Sequence, residues 1–177
     1  EDARKPFWSP DSGQIGFFRG TQIWRLEVAG GEPMMVCDLP GGDRGEGGTW
    51  DPDNHILFTV GDAKGVMQVP ARGGVPVAYM VPDTSLIQDV HDPNLVGDGR
   101  GLVYSAHMKG AMFTQLYHYR DGANTLVFDG GEDPIVNTIY YNSGHVLFRK
   151  DGPNAGVWAI PYDPDGQQVK GEPSDAR

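Results

Sequence analysis

Cysteine is almost missing from this chain of 177 residues: Cys37 stands alone, which excludes an intramolecular disulfide framework. With Met35, Val36 and Leu39 around it, Cys37 reads as a small buried hydrophobe rather than a reactive thiol. Positive charge is also scarce. Fourteen Lys and Arg face 24 Asp and Glu, giving a formal charge of −10. That balance opposes DNA or anionic lipid, whose phosphates need a basic stripe, so no nucleic-acid partner is expected. No apolar run approaches the roughly 18 to 20 residues of a membrane helix, so no direct membrane insertion is expected. No signal-peptide pattern opens the chain, and neither does an initiating Met, so a piece of a longer protein or a processed product is expected. There is no amphipathic helical pattern beyond two turns. A Gly-Xaa-Ser-Xaa-Gly elbow, a Walker loop and a dinucleotide fingerprint are all lacking.

What is present is glycine and proline, 26 and 14 residues, as in a chain of many tight turns. These turns recur with the same surroundings. Ser9-Pro10-Asp11-Ser12-Gly13 leads into Gln14-Ile15-Gly16-Phe17-Phe18, and Asp51-Pro52-Asp53-Asn54 into His55-Ile56-Leu57-Phe58. Val96-Gly97-Asp98-Gly99-Arg100 precedes Gly101-Leu102-Val103-Tyr104, and Tyr141-Asn142-Ser143-Gly144 precedes His145-Val146-Leu147-Phe148. The aromatics Phe17, Phe58, Tyr104 and Phe148 are spaced by 41, 46 and 44 residues. The matching Gly-Gly-Xaa-Pro turns beginning at Gly30 and Gly73 lie 43 apart, an independent mark of the same period. Strand-and-turn repeats of this length belong to β-propeller blades.

Within each repeat, short runs alternate apolar and polar residues as half-buried strands do. Gln22 to Val28, Gly65 to Pro70, Thr114 to Tyr119 and Gly156 to Pro161 are each expected to follow the first apolar strand across a turn. The fold class expected is therefore all-β: about four blades over residues 6–40, 41–83, 84–130 and 131–177, each a four-stranded antiparallel sheet. The four repeat aromatics are expected at equivalent, buried positions. Trp8, Trp24, Trp50 and Trp158 are expected to pack between blades.

The segments Pro6-Phe7-Trp8-Ser9-Pro10-Asp11, Gly48-Thr49-Trp50 and Val66-Met67-Gln68-Val69-Pro70-Ala71-Arg72-Gly73-Gly74 resemble the TolB-like, Pro-Asp-repeat branch of β-propellers. So do Gly144-His145-Val146-Leu147-Phe148-Arg149-Lys150-Asp151-Gly152 and the closing Tyr162-Asp163-Pro164. Their order is similar to the propeller region of bacterial membrane-anchored serine/threonine kinases and related regulators. The resemblance implies a ring of six or seven blades, with the remaining blades or a protein partner completing it, or self-association. It also implies an extracytoplasmic or periplasmic setting. The third repeat departs from the pattern, with Val96-Gly97 where the repeat expects an aromatic or apolar residue and Pro.

Of five histidines, His91 and His107 stand out because Asp89-Val90-His91-Asp92 gathers a histidine and two carboxylates. Asp89, His91 and His107 are the candidate ligand or metal residues, with His91 at the third blade's innermost strand and His107 just past the strand Leu102 to Ala106. Arg44 and Glu46, in the Gly-rich stretch Gly41 to Gly48, are candidates for a channel rim in what reads as a flexible connection. Acidic turns such as Asp129-Gly130-Gly131-Glu132-Asp133 read as turn chemistry and lack the EF-hand pattern. No catalytic set assembles, and no cofactor is expected. The function expected is a non-catalytic binding scaffold, a sensory or protein-interaction module of a larger bacterial protein. Alternatives are the gating propeller of a prolyl-oligopeptidase-type serine peptidase and a metal-dependent polysaccharide lyase centred on His91 and His107.

Overall fold

A computed structural model describes residues 2–61, 65–110 and 114–176 of the chain. The chain divides into two compact units, Glu1–Pro82 and Asp83–Arg177. Unit 1 holds two four-stranded antiparallel sheets, each in sequential order: β1 to β4 (Ala3–Trp8, Gln14–Arg19, Gln22–Glu27, Met34–Asp38) and β5 to β8 (Gly45–Trp50, His55–Val60, Val66–Pro70, Val77–Met80). Unit 2 repeats the plan with β9 to β12 (Ile87–Val96, Gly101–Met108, Thr114–Arg120, Ala123–Asp129). Its second sheet is β13 (Ile135–Tyr141), β14 (His145–Lys150) and β15 (Gly156–Asp163), closed by two short pieces, β16 (Gln168–Val169) and β17 (Ser174–Asp175). Both pieces pair with β15, at Tyr162↔Val169 and Trp158↔Asp175, so the outermost strand of the fourth blade is split in two. The interruption contains Pro173, which has no N–H for a ladder.

All four repeats make one turn between the first two strands of the blade. Ser12, Asn54, Gly99 and Gly144 each donate a backbone N–H to the carbonyl three residues earlier, at 2.9, 3.1, 3.0 and 3.0 Å. The donor residue is left-handed every time, with φ of 58°, 63°, 79° and 80°. Glycine, asparagine and serine fill this position because bulkier L-residues meet their own backbone there. The third blade, despite its Val96-Gly97, keeps the same closure. Carboxylates lock the neighbouring residues: Asp11 accepts from the N–H of Gly13 at 2.9 Å, Asp51 from His55 at 2.7 Å and Asp98 from Arg100 at 3.0 Å. The Ser9 hydroxyl and then the Gly13 N–H hold the Asp11 carboxyl below its usual range. The acidic turn at Asp129 behaves likewise, accepting from Gly131 at 2.9 Å.

Each unit has one core between its two sheets. In unit 1, Phe7, Phe18 and Ile23 of the first sheet meet Trp50, Ile56, Phe58 and Val60 of the second. The Phe7 ring stands edge-on to Trp50 at 6.5 Å. In unit 2, Phe148 stacks on Phe128 of the preceding sheet at 5.3 Å, amid Val103, Leu116, Ile135 and Ile160. Phe58, Tyr104 and Phe148 are buried as expected, but Phe17 is only half-buried. In registry Phe17 is their equivalent, opposite Trp24 as Phe58 is opposite Met67 and Phe148 opposite Trp158. Phe58 and Phe148 pack on the preceding sheet of their own unit, whereas Phe17 lies in the first sheet of unit 1; Tyr104, in the first sheet of unit 2, is buried all the same. The tryptophans are corrected in the same way, since Trp50 is 5% exposed but Trp8 is 57% exposed.

The Gly41 to Gly48 stretch is not a free connection. A 3₁₀ turn at Pro40–Gly42 is followed after two residues by β5, and Gly45 lies under the Phe18 ring. A Cβ on Gly45 would sit 2.1 Å from two carbons of that ring. Gly45→Ala is therefore expected to lower stability by about 1–3 kcal/mol through overpacking. A urea midpoint within error of the unsubstituted chain would show that Phe18 has room to move. Cys37 is buried as expected, and burial pushes its thiol up to about 11. Among the described residues, no helix is long and apolar enough to cross a membrane.

Candidate functional site

Strand β9 alternates Asp89, buried Val90 and His91, which places both polar side chains on one face with Val90 in the core behind them. The hairpin register then sets His107 of β10 directly opposite Asp89, and Ser105 opposite His91. His107 thus belongs to the paired strand Gly101–Met108 and does not follow it. On the shared face, Asp89 Oδ1 lies 2.7 Å from His107 Nδ1 and 3.0 Å from His91 Nε2. The two ring nitrogens are 3.2 Å apart, with ring centroids 4.7 Å apart at 63°. The side chains of Asp89, His91 and His107 are 20%, 21% and 39% exposed, so a solute can reach all three.

Immediately after His91 the strand bulges. Asp92 turns left-handed (φ 49°), and pairing resumes only at Asn94↔Val103. The same interruption marks the first strand of every blade: between Arg4 and Phe7, between Gly45 and Gly47, and between Val136 and Ile139. A bulge leaves ladder groups unpaired, and side chains from β9 supply partners in unit 2. Asp92 accepts from the N–H of Asn137 at 2.9 Å, and Asn94 accepts from Tyr140 at 2.8 Å. These two bonds tie the strand carrying His91 to β13 and fix its course. Nothing in the spacing of the sequence marks Asp92 and Asn94 for this work.

The other expected site residues lie in unit 1. Arg44 precedes β5 and is exposed, and Glu46 sits half-buried in the β5 bulge. A recess of about 520 Å³ in that unit is lined by Gln14, Arg25, Trp50, Asn54, His55 and Arg72, not by Arg44 or Glu46. His55 is engaged by Asp51 at 3.5 Å and His145 by the Ser143 hydroxyl at 3.0 Å, consistent with turn roles for both. Sequence reasoning missed His118. It is fully buried on β11, 2.7 Å from the Tyr162 hydroxyl on β15, and its Nε2 has no partner among the described residues. Burial, and then the Arg120 charge, lower it from 6.5 to about 4, so it is a neutral imidazole.

No family model matches the sequence, and no curated protein sequence does. Solved structures do. A calcium-binding regucalcin from Agrobacterium tumefaciens superposes with a TM-score of 0.73 at 17% identity, over 98% of this chain and 58% of its own. TolB from Acinetobacter baumannii gives 0.69 at 15% identity, over 96% and 43%. An oligogalacturonate lyase in complex with manganese gives 0.65 at 10% identity, over 93% and 51%. The chain has the fold of a β-propeller, shared with TolB, and it spans roughly half the length of these structures. A luciferin-regenerating enzyme and a nidogen/laminin complex share the architecture. The expectation that this protein is not an enzyme is thereby corrected. Enzymes are built on the same blades, so a propeller without a familiar sequence motif carries no exclusion of catalysis.

Proposed function

We propose that the chain is a sensory or protein-interaction portion of a larger bacterial propeller protein, working outside the cytoplasm, and that it engages its ligand through Asp89, His91 and His107. One observation carries this reading: three functional side chains from two paired strands converge within 3.2 Å on an accessible face. They lie outside the core of their unit. The likeness to TolB and to a propeller in a nidogen/laminin complex supports recognition as the task, and the enzymes of the same fold make a catalytic use of the bound ligand compatible with it.

A thermal-shift screen of the chain and its Asp89→Asn variant against metal ions, sugars, peptides and small acids tests the reading. A ligand at about 100 times its Kd adds about 2.7 kcal/mol to the folded state. For a chain of this size that is roughly 5–10 °C in Tm. At least one class is expected to give that shift in the unsubstituted chain and not in Asp89→Asn. Identical profiles for the two proteins across all classes would refute it.

A further inference from the structure

We infer that Asp89, His91 and His107 form a three-ligand site for a divalent transition-metal ion of the zinc class, with the remaining coordination positions open to an external ligand. This names the ligand of the site proposed above and rests on that reading.

The donor set comes first. Two imidazole nitrogens and one carboxylate oxygen suit zinc, ferrous iron, cobalt, nickel or copper. Calcium takes six to eight oxygen ligands and magnesium an octahedron of them, and three donors with a single carboxylate serve neither. The distances agree. With ligand bonds of about 2.0–2.2 Å, two ligands of a tetrahedral ion lie roughly 3.3–3.6 Å apart, and adjacent ligands of an octahedral ion about 3.0 Å. The observed separations are 3.2 Å for His91 Nε2 to His107 Nδ1, 3.0 Å for His91 Nε2 to Asp89 Oδ1 and 2.7 Å for His107 Nδ1 to Asp89 Oδ1. Opening the 2.7 Å edge by roughly 0.3 Å for an octahedral ion, or about 0.6 Å for a tetrahedral one, brings all three atoms to bonding distance of one ion.

Protons alone cannot satisfy the triangle. It has three edges, and each ring nitrogen contributes at most one hydrogen. Whatever the tautomers, one edge faces two N–H groups or two lone pairs together. A cation removes the conflict, because all three lone pairs then point at one positive charge. The ligands also stand on paired strands and not on loops. Asp89 and His107 are register partners, and the bulge after His91 is pinned to β13 through Asp92 and Asn94. Structural zinc sites are closed by four protein ligands, whereas three ligands on an accessible face leave room for water or a substrate group.

The test is metal uptake by the chain after chelator treatment and dialysis. Co²⁺ and Zn²⁺ are each titrated in, and bound metal is measured by mass spectrometry and, for Co²⁺, by its visible spectrum. One equivalent per chain is expected, with Zn²⁺ displacing Co²⁺ and with Ca²⁺ and Mg²⁺ displacing neither. Asp89→Asn and His107→Ala should each weaken binding by more than the roughly 10- to 100-fold that loss of an outer-sphere partner costs. His145→Ala, remote from the triad in sequence and engaged by Ser143, should bind as the unsubstituted chain does. Circular dichroism establishes that each variant is folded, and if His107→Ala is not, the near-isosteric Asp89→Asn decides. No stoichiometric uptake by folded chain, uptake unchanged in the variants, or preference for Ca²⁺ would overturn the assignment. If uptake fails while another ligand still gives an Asp89-dependent thermal shift, the metal alone is wrong. If both fail, the site itself is refuted.

Discussion

Phe58→Ala is expected to destabilise the chain by about 3–5 kcal/mol, while Phe17→Ala, at the equivalent repeat position, costs about 1 kcal/mol. Phe58 has no exposed surface and sits among Phe7, Phe18, Ile23 and Val36 of the preceding sheet. Removing its ring leaves a cavity that two sheets must close. Phe17 occupies the same registry opposite Trp24, but no sheet of its unit precedes it and its ring is already half in water. Urea unfolding followed by tryptophan fluorescence measures both. Equal costs would mean that position within the blade, and not the neighbouring sheet, sets the contribution.

Acidification is expected to destabilise unit 2 through His118, by roughly 3 kcal/mol between pH 6.5 and pH 4. The sign follows from burial. The folded chain keeps the imidazole neutral down to about pH 4, whereas the unfolded chain protonates it below its ordinary 6.5. The unfolded state therefore binds more protons throughout that window, and stability present above it is lost as the pH falls. Below pH 4 both states carry the proton and this contribution is flat. The Asp11 and Asp163 carboxyls, held below their usual 3.8 by hydrogen bonds, act in the same direction but at lower pH. Stability measured from pH 7.5 to 4 in the chain and in His118→Gln isolates the histidine. If both lose stability alike over the window, the group responsible is not His118. Gly101 belongs to this device: a Cβ there would lie 2.3 Å from His118 Nε2, so only glycine leaves the ring its place.

Much of the fold was legible in the sequence because the turns are chemical statements. Ser9-Pro10-Asp11-Ser12 and Asp51-Pro52-Asp53-Asn54 place a carboxylate and a left-handed residue where the chain must reverse, and the four copies close with the same bond. The third copy closes too with Val96-Gly97 in place of a proline dipeptide, because the required feature is the positive φ at Gly99. The bulges were not legible. Lys5, Asp92 and Asn137 are left-handed inside strands, and neither composition nor alternation marks such a site, since its cost is met by partners far along the chain. Asp92 and Asn137 are 45 residues apart.

The candidate site divides along the same line. That Asp89 and His91 share a face follows from the two-residue period of a strand, and the sequence by itself determined it, along with the strands, the turns and the four-fold repeat. Whether His107 meets them depended on the register of the β9–β10 hairpin, which the turn at Val96 to Arg100 and the bulge at Asp92 set together. A shift of one residue would turn His107 to the opposite face and bury it in place of Ala106. Tertiary structure alone also decided which aromatics are buried and where His118 lost its charge, because both depend on what the neighbouring sheet covers, and a residue's own neighbours in sequence carry no record of that.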